Sequence, residues 1–445
     1  MADAAIAKRP TNLRRIAAAC MAGTTIEWYD FYLYGLAAAL VFGPQFFTAM
    51  SPFVATLASF ATFAVGFIAR PVGGIIFGHF GDRLGRKSVL VWSLLLMGGS
   101  TFAIGLLPTY EHIGVWAPIL LVTLRFLQGV GLGGEWGGAA LMAVEHAPSN
   151  KRGLYGSFIS LGIPAGLVLS NAAFLILDQV TTNDVFNSWG WRVPFLASVL
   201  LVFVGLWVRL SVEESPLFEQ AQKKQQEERD RRLPVITVLR RYPKEVTLAA
   251  GTYIANSGVG YIVIVYLLTY ATSVLKLPRQ QILMSILASM AVMATAMVVS
   301  AIVSDRIGRR TVSIAASIAL VIWSAVFFPL MDTGNTWLIL LAITVMNGIT
   351  GTLFGPQAAL FSELFGTSVR YSGVTLGYQV GALLGGAIAP TIAATLYEVN
   401  ETSTLITVYM VGVSVISLLS FLGLAETHRR SLAEDPQAAK APQAA

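Results

Sequence analysis

The chain of 445 residues has one cysteine, Cys20, so an intrachain disulfide is excluded. Histidine is scarce as well: His79, His112, His146 and His428 lie far apart. None has metal-ligand spacing to another, and none sits in a nucleophile–base arrangement. The turn Gly85-Arg86-Lys87 interrupts the phosphate-loop spacing with an arginine. No metal, no cofactor and no catalytic centre is expected, so an enzyme is the disfavoured class. Charge is the largest deficit. Asp, Glu, Lys and Arg make up 12% of the chain, against roughly a quarter in a soluble domain.

What replaces charge is hydrocarbon. Hydrophobic residues form 55% of the chain and the mean hydropathy is +0.67. A surface of that composition is solvated by lipid. A membrane helix needs about 20 largely apolar residues. Twelve such segments are expected, at 14–42, 55–80, 88–107, 116–145, 153–178, 189–210, 246–272, 281–304, 311–331, 336–362, 371–398 and 403–424. The basic N-terminus ahead of the first segment faintly resembles a signal peptide. The run continues past Glu27 and Asp30, so it reads as a retained span.

The few charges are patterned. Gly78-His79-Phe80-Gly81-Asp82-Arg83-Leu84-Gly85-Arg86-Lys87 follows the second segment. Ser304-Asp305-Arg306-Ile307-Gly308-Arg309-Arg310 follows the eighth, with the two aspartates 223 residues apart. A repeat at half the chain length implies two related halves. The expected organisation is a six-helix half at 1–210, a linker at 211–245, a second six-helix half at 246–428 and a tail at 429–445. Of the 30 Lys and Arg, 25 fall in loops on the side of the termini and three (Arg192, Lys276, Arg279) on the opposite side. That bias places both termini in the cytoplasm. It accounts for the net charge of +6 better than a nucleic-acid partner does. Glycines at four-residue spacing, Gly129, Gly133 and Gly137 in segment four and Gly373, Gly377, Gly381 and Gly385 in segment eleven, mark closely packed helices.

Together these features resemble the major facilitator superfamily. Glu27-Trp28-Tyr29-Asp30-Phe31, Arg70-Pro71-Val72-Gly73-Gly74, Arg125-Phe126-Leu127-Gln128-Gly129, Gly133-Gly134-Glu135-Trp136-Gly137 and Trp189-Gly190-Trp191-Arg192-Val193-Pro194 are similar to its metabolite:proton symporters. Tyr371-Ser372-Gly373 and Gly377-Tyr378-Gln379 are most similar to members that carry shikimate. The resemblance runs from about Arg14 to Leu424. It implies an all-α polytopic protein with twelve transmembrane helices in two pseudo-symmetric halves. It also implies a bacterial inner-membrane location, a functional monomer and a small-molecule metabolite as cargo. Related members carry 2-oxoglutarate, citrate, proline or betaine, so the cargo stays open, and antiport or uniport stays open beside symport.

Five ionisable residues lie inside spans: Glu27, Asp30, Arg70, Arg125 and Glu135. A charge at mid-bilayer costs at least about 2.5–3.5 kcal/mol, so each needs a partner or a wet cavity. Three acids against two arginines leave one acid able to hold a mobile proton. The resemblance pairs Asp30 with Arg125 as the proton-sensitive couple, with Glu27 and Glu135 as the other candidate carriers. Arg125, Arg70, Gln128, Glu135, Tyr34, Trp136, Tyr253, Asn256, Asn347, Gln357, Tyr378 and Gln379 are the candidate substrate contacts. Asp82, Arg83, Arg86, Asp305 and Arg306 are the candidate gate residues. Fixed structural ion pairs and Asn or Gln that merely join helices are the competing readings of these positions.

Overall fold

Long apolar runs between polar turns leave the backbone only one way to satisfy its amides in lipid, and every run is helical in the computed structural model. The structure describes residues 13–84, 86–133, 135–210, 234–366, 369–428, 430 and 432. Most of the expected linker, 211–233, and nearly all of the tail lie outside the described residues.

The first half holds α1 (Leu13–Ala37), α2 (Pro52–Leu84), α3 (Arg86–Leu106), α4 (Trp116–Leu132), α5 (Glu135–His146), α6 (Arg152–Ser160), α7 (Gly162–Val180) and α8 (Arg192–Leu210). The second holds α9 (Pro234–Arg241), α10 (Pro243–Tyr261), α11 (Arg279–Ile307), α12 (Arg309–Met331), α13 (Thr336–Leu364), α14 (Arg370–Ala382), α15 (Ala389–Asn400) and α16 (Thr404–Gly423). Span five is interrupted at Leu161, between α6 and α7, and span eleven passes through a π-turn at Leu383–Ala387, between α14 and α15. Further π-turns lie at Ala38–Phe42, Phe186–Gly190, Ile262–Tyr266 and Tyr270–Val274. Such irregularities are enriched at functional sites. Pro356 breaks nothing, since α13 runs through it.

Among the described residues, nine helices are long and apolar enough to cross a membrane, and span six makes a tenth, bent by 51°. The two remaining expected spans, one and three, are helical as α1 and α3.

Packing repeats between the halves. Span one packs on five, two on four, three on six; seven packs on eleven, eight on ten, nine on twelve. Across the boundary, span five meets spans eight and ten while span eleven meets spans two and four, the same pairing exchanged. Glycine makes the closest of these approaches possible. A Cβ on Gly129 would lie 2.2 Å from the Gly66 carbonyl oxygen, and one on Gly385 would lie 2.2 Å from that of Ile254. The glycine ladders thus seat span four on span two and span eleven on span seven. Two positions are exceptions: Gly137 faces Thr375 of the other half, and Gly373 faces Phe365.

Candidate functional site

α1, α2 and α4 bring one polar group together entirely within the first half. Arg125 is fully buried. Its Nη1 donates to Gln128 Oε1 at 2.5 Å, and Gln128 Nε2 donates to Thr101 Oγ1 at 2.8 Å. The guanidinium carbon lies 4.1 Å from the centre of the Tyr34 ring, and the Tyr34 hydroxyl donates to Thr62 at 2.6 Å. The other edge of the guanidinium presses on α2: a Cβ on Gly66 would sit 2.5 Å from Arg125 Nε and 3.0 Å from Nη2. Asp30 is buried beside Thr101 and within the field of Arg125. Neither of its oxygens takes a hydrogen bond of ordinary geometry. Asp30 and Arg125 therefore share a layer, while Gln128 occupies the arginine and is itself held by Thr101.

A second group straddles the boundary between the halves. Arg70, buried on α2 just before Pro71, lies 4.7 Å from the Phe31 ring centre and 4.9 Å from that of Phe67. Its charge acts on Tyr378, Tyr261 and Tyr253 of the second half and on Glu27 of the first. Trp136 stacks on Tyr378 with centroids 4.0 Å apart and planes 11° from parallel. Tyr253 lies 4.6 Å from Tyr378, and Gln379 Nε2 reaches the Gly133 carbonyl at 3.4 Å. Glu135, at the start of α5, is buried close by in sequence to Trp136. Asn256 is buried with both amide atoms unpartnered, and so is Gln357 through Oε1. Asn347 is engaged elsewhere, donating to Ser289 of α11 at 2.8 Å.

Phe31 joins the two groups. Its ring centre lies 4.7 Å from the guanidinium carbon of Arg70 and 4.7 Å from that of Arg125, a cation–π contact on each side. Phe31, Thr101 and Gly66 were not singled out from sequence. Phe31 stood within the Glu27–Phe31 run, but an aromatic in an apolar helix carries no signal of which charge it meets.

The ends of the bundle are closed by polar contacts between the halves. At the end carrying the two D-R turns, Asp305 accepts the amides of Gly153 at 2.9 Å and Leu154 at 3.1 Å, at the start of α6. Arg309, wholly buried, pairs with Asp305 at 2.6 Å and lies 3.5 Å from Glu363. Arg152 lies 3.8 Å from Glu363, and Arg370 lies 3.3 Å from Glu145. Arg306 is exposed; Arg309 is the arginine of that turn that joins the network. The side chains of Asp82, Arg83 and Arg86 lie outside the described ones.

The segment after α16 is built into the same network. Glu426 accepts the amides of Arg309 at 2.8 Å and Arg310 at 3.0 Å, and Thr427 donates to Glu363 at 2.7 Å. Arg152 of the first half donates to the Arg430 carbonyl at 2.8 Å, and Arg370 of the second donates to that of Leu432 at 2.5 Å. Burial raises the Glu426 carboxyl, but the amides of Thr427, His428 and Arg309 outweigh it and hold the group below its ordinary value. At the opposite end, Arg279 pairs with Asp178 across the halves. A cavity of about 410 Å³ opens beside that pair.

A buried polar layer between two halves that ion pairs join at both ends fits a carrier, and comparison with known proteins shows the family. The family model described as Major Facilitator Superfamily matches residues 17–390 and 288–443. The chain is 42% identical over 429 residues to the inner membrane metabolite transport protein YhjE of Escherichia coli (strain K12), covering 95% of this chain and 97% of the relative. It is 42% identical over 422 residues to the shikimate transporter of the same organism, covering 94% and 96%. It is 33% identical over 427 residues to the glycine betaine/proline/ectoine/pipecolic acid transporter OusA of Dickeya dadantii (strain 3937), covering 95% and 85%. The proton:xylose symporter XylE superposes with a TM-score of 0.73 at 17% identity, over 95% of this chain and 98% of that one. The chain is a multi-pass membrane transporter of small metabolites and belongs to the major facilitator superfamily.

Proposed function

We propose that the protein imports a small organic acid together with a proton, exposing one central site alternately to the two faces of the bacterial inner membrane. The observation that supports this most is Asp30: a buried carboxylate whose oxygens take no hydrogen bond of ordinary geometry, beside an arginine that Gln128 holds. A carboxylate so placed takes up a proton when the arginine's field weakens. Arrival of an anionic substrate in the layer reduces that field, so proton and substrate loading are linked without touching, and the linkage is mutual. A neutral Asp30 also lowers the cost of rearranging the halves around a dry core. Glu27 and Glu135 stand behind Asp30 as carriers.

In this reading the termini and the 211–245 linker face the cytoplasm, the two charged turns form the inner gate, and one chain suffices for transport. The partners are the metabolite and the bilayer, with no nucleic acid, and the proton is the only coupling ion.

Proteoliposomes test the proposal. Uptake of a panel of labelled metabolites is measured with and without an imposed proton gradient. Accumulation of an organic acid only with the gradient, accompanied by acidification of the lumen, is the expected result. Equal uptake in both conditions makes the protein a uniporter. Because relatives carry betaine and proline, a zwitterion accumulated in place of the acids establishes the alternative cargo. Orientation is read separately. In a Cys20→Ala background, a single cysteine in the linker should resist an impermeant thiol reagent added outside intact cells.

A further inference from the structure

The two buried arginines are not equivalent, and the difference lies in one edge of each guanidinium. In both, Nε and Nη2 lack a hydrogen-bond partner. These two nitrogens form the side-on fork that receives a carboxylate through two parallel bonds. On Arg125 that edge is packed against the Gly66 backbone, where even one added methyl would lie 2.5 Å from Nε. No carboxylate fits there without pulling Arg125 off α2. On Arg70 the charge instead acts on Tyr378, Tyr261 and Tyr253 of the other half, with Glu27 of its own half also in its field.

We propose that Arg70, rather than Arg125, receives the substrate's carboxylate, and that the substrate is a compact ring bearing a single carboxylate. This rests on the organic-acid reading above and assigns its chemistry. The fork on Arg70 accepts one carboxylate. The parallel Trp136–Tyr378 pair beside it offers a flat aromatic face, against which a ring loses less water-exposed area than a flexible chain of equal size and sacrifices fewer rotors. The orphaned amides of Asn256 and Gln357 supply polar contacts for ring hydroxyls. Asn256 stands one turn from Tyr253. Gln357 stands one turn from Phe354 and from Phe361, whose rings lie 6.1 Å from Tyr253 and 6.2 Å from Trp136. The fork, the stack and the amides come from both halves, so the bound acid is seen only when the halves meet over it. Phe31, touching both guanidiniums, separates this anchor from the Asp30–Arg125 pair by the thickness of one ring.

The test uses the full-length transporter, purified for binding and reconstituted for uptake. The probes are shikimate, its methyl ester, succinate and glycine betaine. Binding is read from the ligand concentration needed to raise the melting temperature. In the wild type, shikimate is expected to bind about 10- to 100-fold more tightly than its ester, the range of a charge-assisted hydrogen bond. Arg70→Gln should bring that ratio close to one, and Arg70→Lys should leave it intermediate. Arg125→Gln should keep the ratio while losing gradient-driven accumulation. A purely structural role for Arg70 would lower the melting temperature and leave the ratio untouched, which overturns the assignment. So does collapse of the ratio in Arg125→Gln alone. Should the Arg70 variants fail to fold, Trp136→Ala decides: shikimate must lose affinity relative to succinate, and unchanged ring preference overturns the proposal. If the wild type responds to glycine betaine and to neither acid, the organic-acid reading falls together with this one. If it accumulates shikimate but the Arg70 variants keep the ratio, only the anchor is wrong.

Discussion

Removing the Asp305 carboxylate is expected to open the end of the bundle that carries the charged turns. Asp305 makes two bonds to the other half, to the amides of Gly153 and Leu154, and one pair within its own half, to Arg309. Only the first two are lost when the halves separate. A hydrogen bond to a charged group contributes about 1.5–3 kcal/mol, and an anion at a helix N-terminus adds about 0.3–1 kcal/mol. The Asp305 side chain is 6% exposed, so screening by solvent is small. Allowing for the same groups regaining water on opening, closure loses about 2–4 kcal/mol in Asp305→Ala, a shift of roughly 30- to 1,000-fold in the closed-to-open ratio. The assay is the distance between spin labels at Asn150→Cys and Thr311→Cys, two exposed positions flanking the gate on opposite halves, with Cys20 replaced. The parent should give one short distance, and Asp305→Ala a second, longer population that dominates. Arg306→Ala, at an exposed site, should match the parent. Identical distance distributions in Asp305→Ala and the parent would refute the claim that this carboxylate holds the halves together.

Three further outcomes are expected. Asp30→Asn, fixed in a neutral form, should reduce gradient-driven accumulation to an inside-to-outside ratio near one while retaining substrate exchange; continued uphill uptake with acidification moves the coupling site elsewhere. Gly66→Ala should displace Arg125, whose Nε would face a Cβ at 2.5 Å, and cut transport by about 5- to 150-fold, the equivalent of an overpacking cost of about 1–3 kcal/mol; Gly99→Ala, with nothing within 4 Å, is the matched control, and equal flux in the two variants disproves the wedge. Glu426 has its folded value lowered, so the stability it contributes is complete above the ordinary carboxylate range and disappears as pH falls through the lower folded value. The melting-temperature gap between wild type and Glu426→Gln should accordingly hold from neutral pH down to that range and close only below it. A gap that closes near neutral pH refutes the assignment to Glu426.

The architecture was legible because lipid enforces it. Runs near 20 apolar residues had to be helices, and the turns at Asp82 and Asp305 announced the repeat. What escaped was whatever depends on which helices face each other. No motif marked the π-turn at Leu383–Ala387. Charge inside a span pointed to Asp30, Arg70 and Arg125 from composition alone. That Gln128 occupies Arg125, that Gly66 seals its free edge and that Arg70 turns toward the other half are tertiary facts with no local signal. Arg309 stood in the repeated turn beside Arg306. Helical phase decides that the first is buried and the second exposed, and a turn whose phase is set by a glycine at φ 112°, Gly308, cannot be phased by counting residues.

The segment after the last helix has a practical bearing on how the protein can be handled. The carbonyls of Arg430 and Leu432 each take an arginine, one from either half, and Glu426 seats the start of α12. A fluorescent protein or purification handle fused upstream of Leu432 therefore replaces contacts made by arginines of both halves, and assays on such a fusion should report a carrier loosened at that end. Handles belong beyond Leu432, and truncation libraries that trim the end stepwise should show a break in transport at that residue rather than at the edge of the membrane.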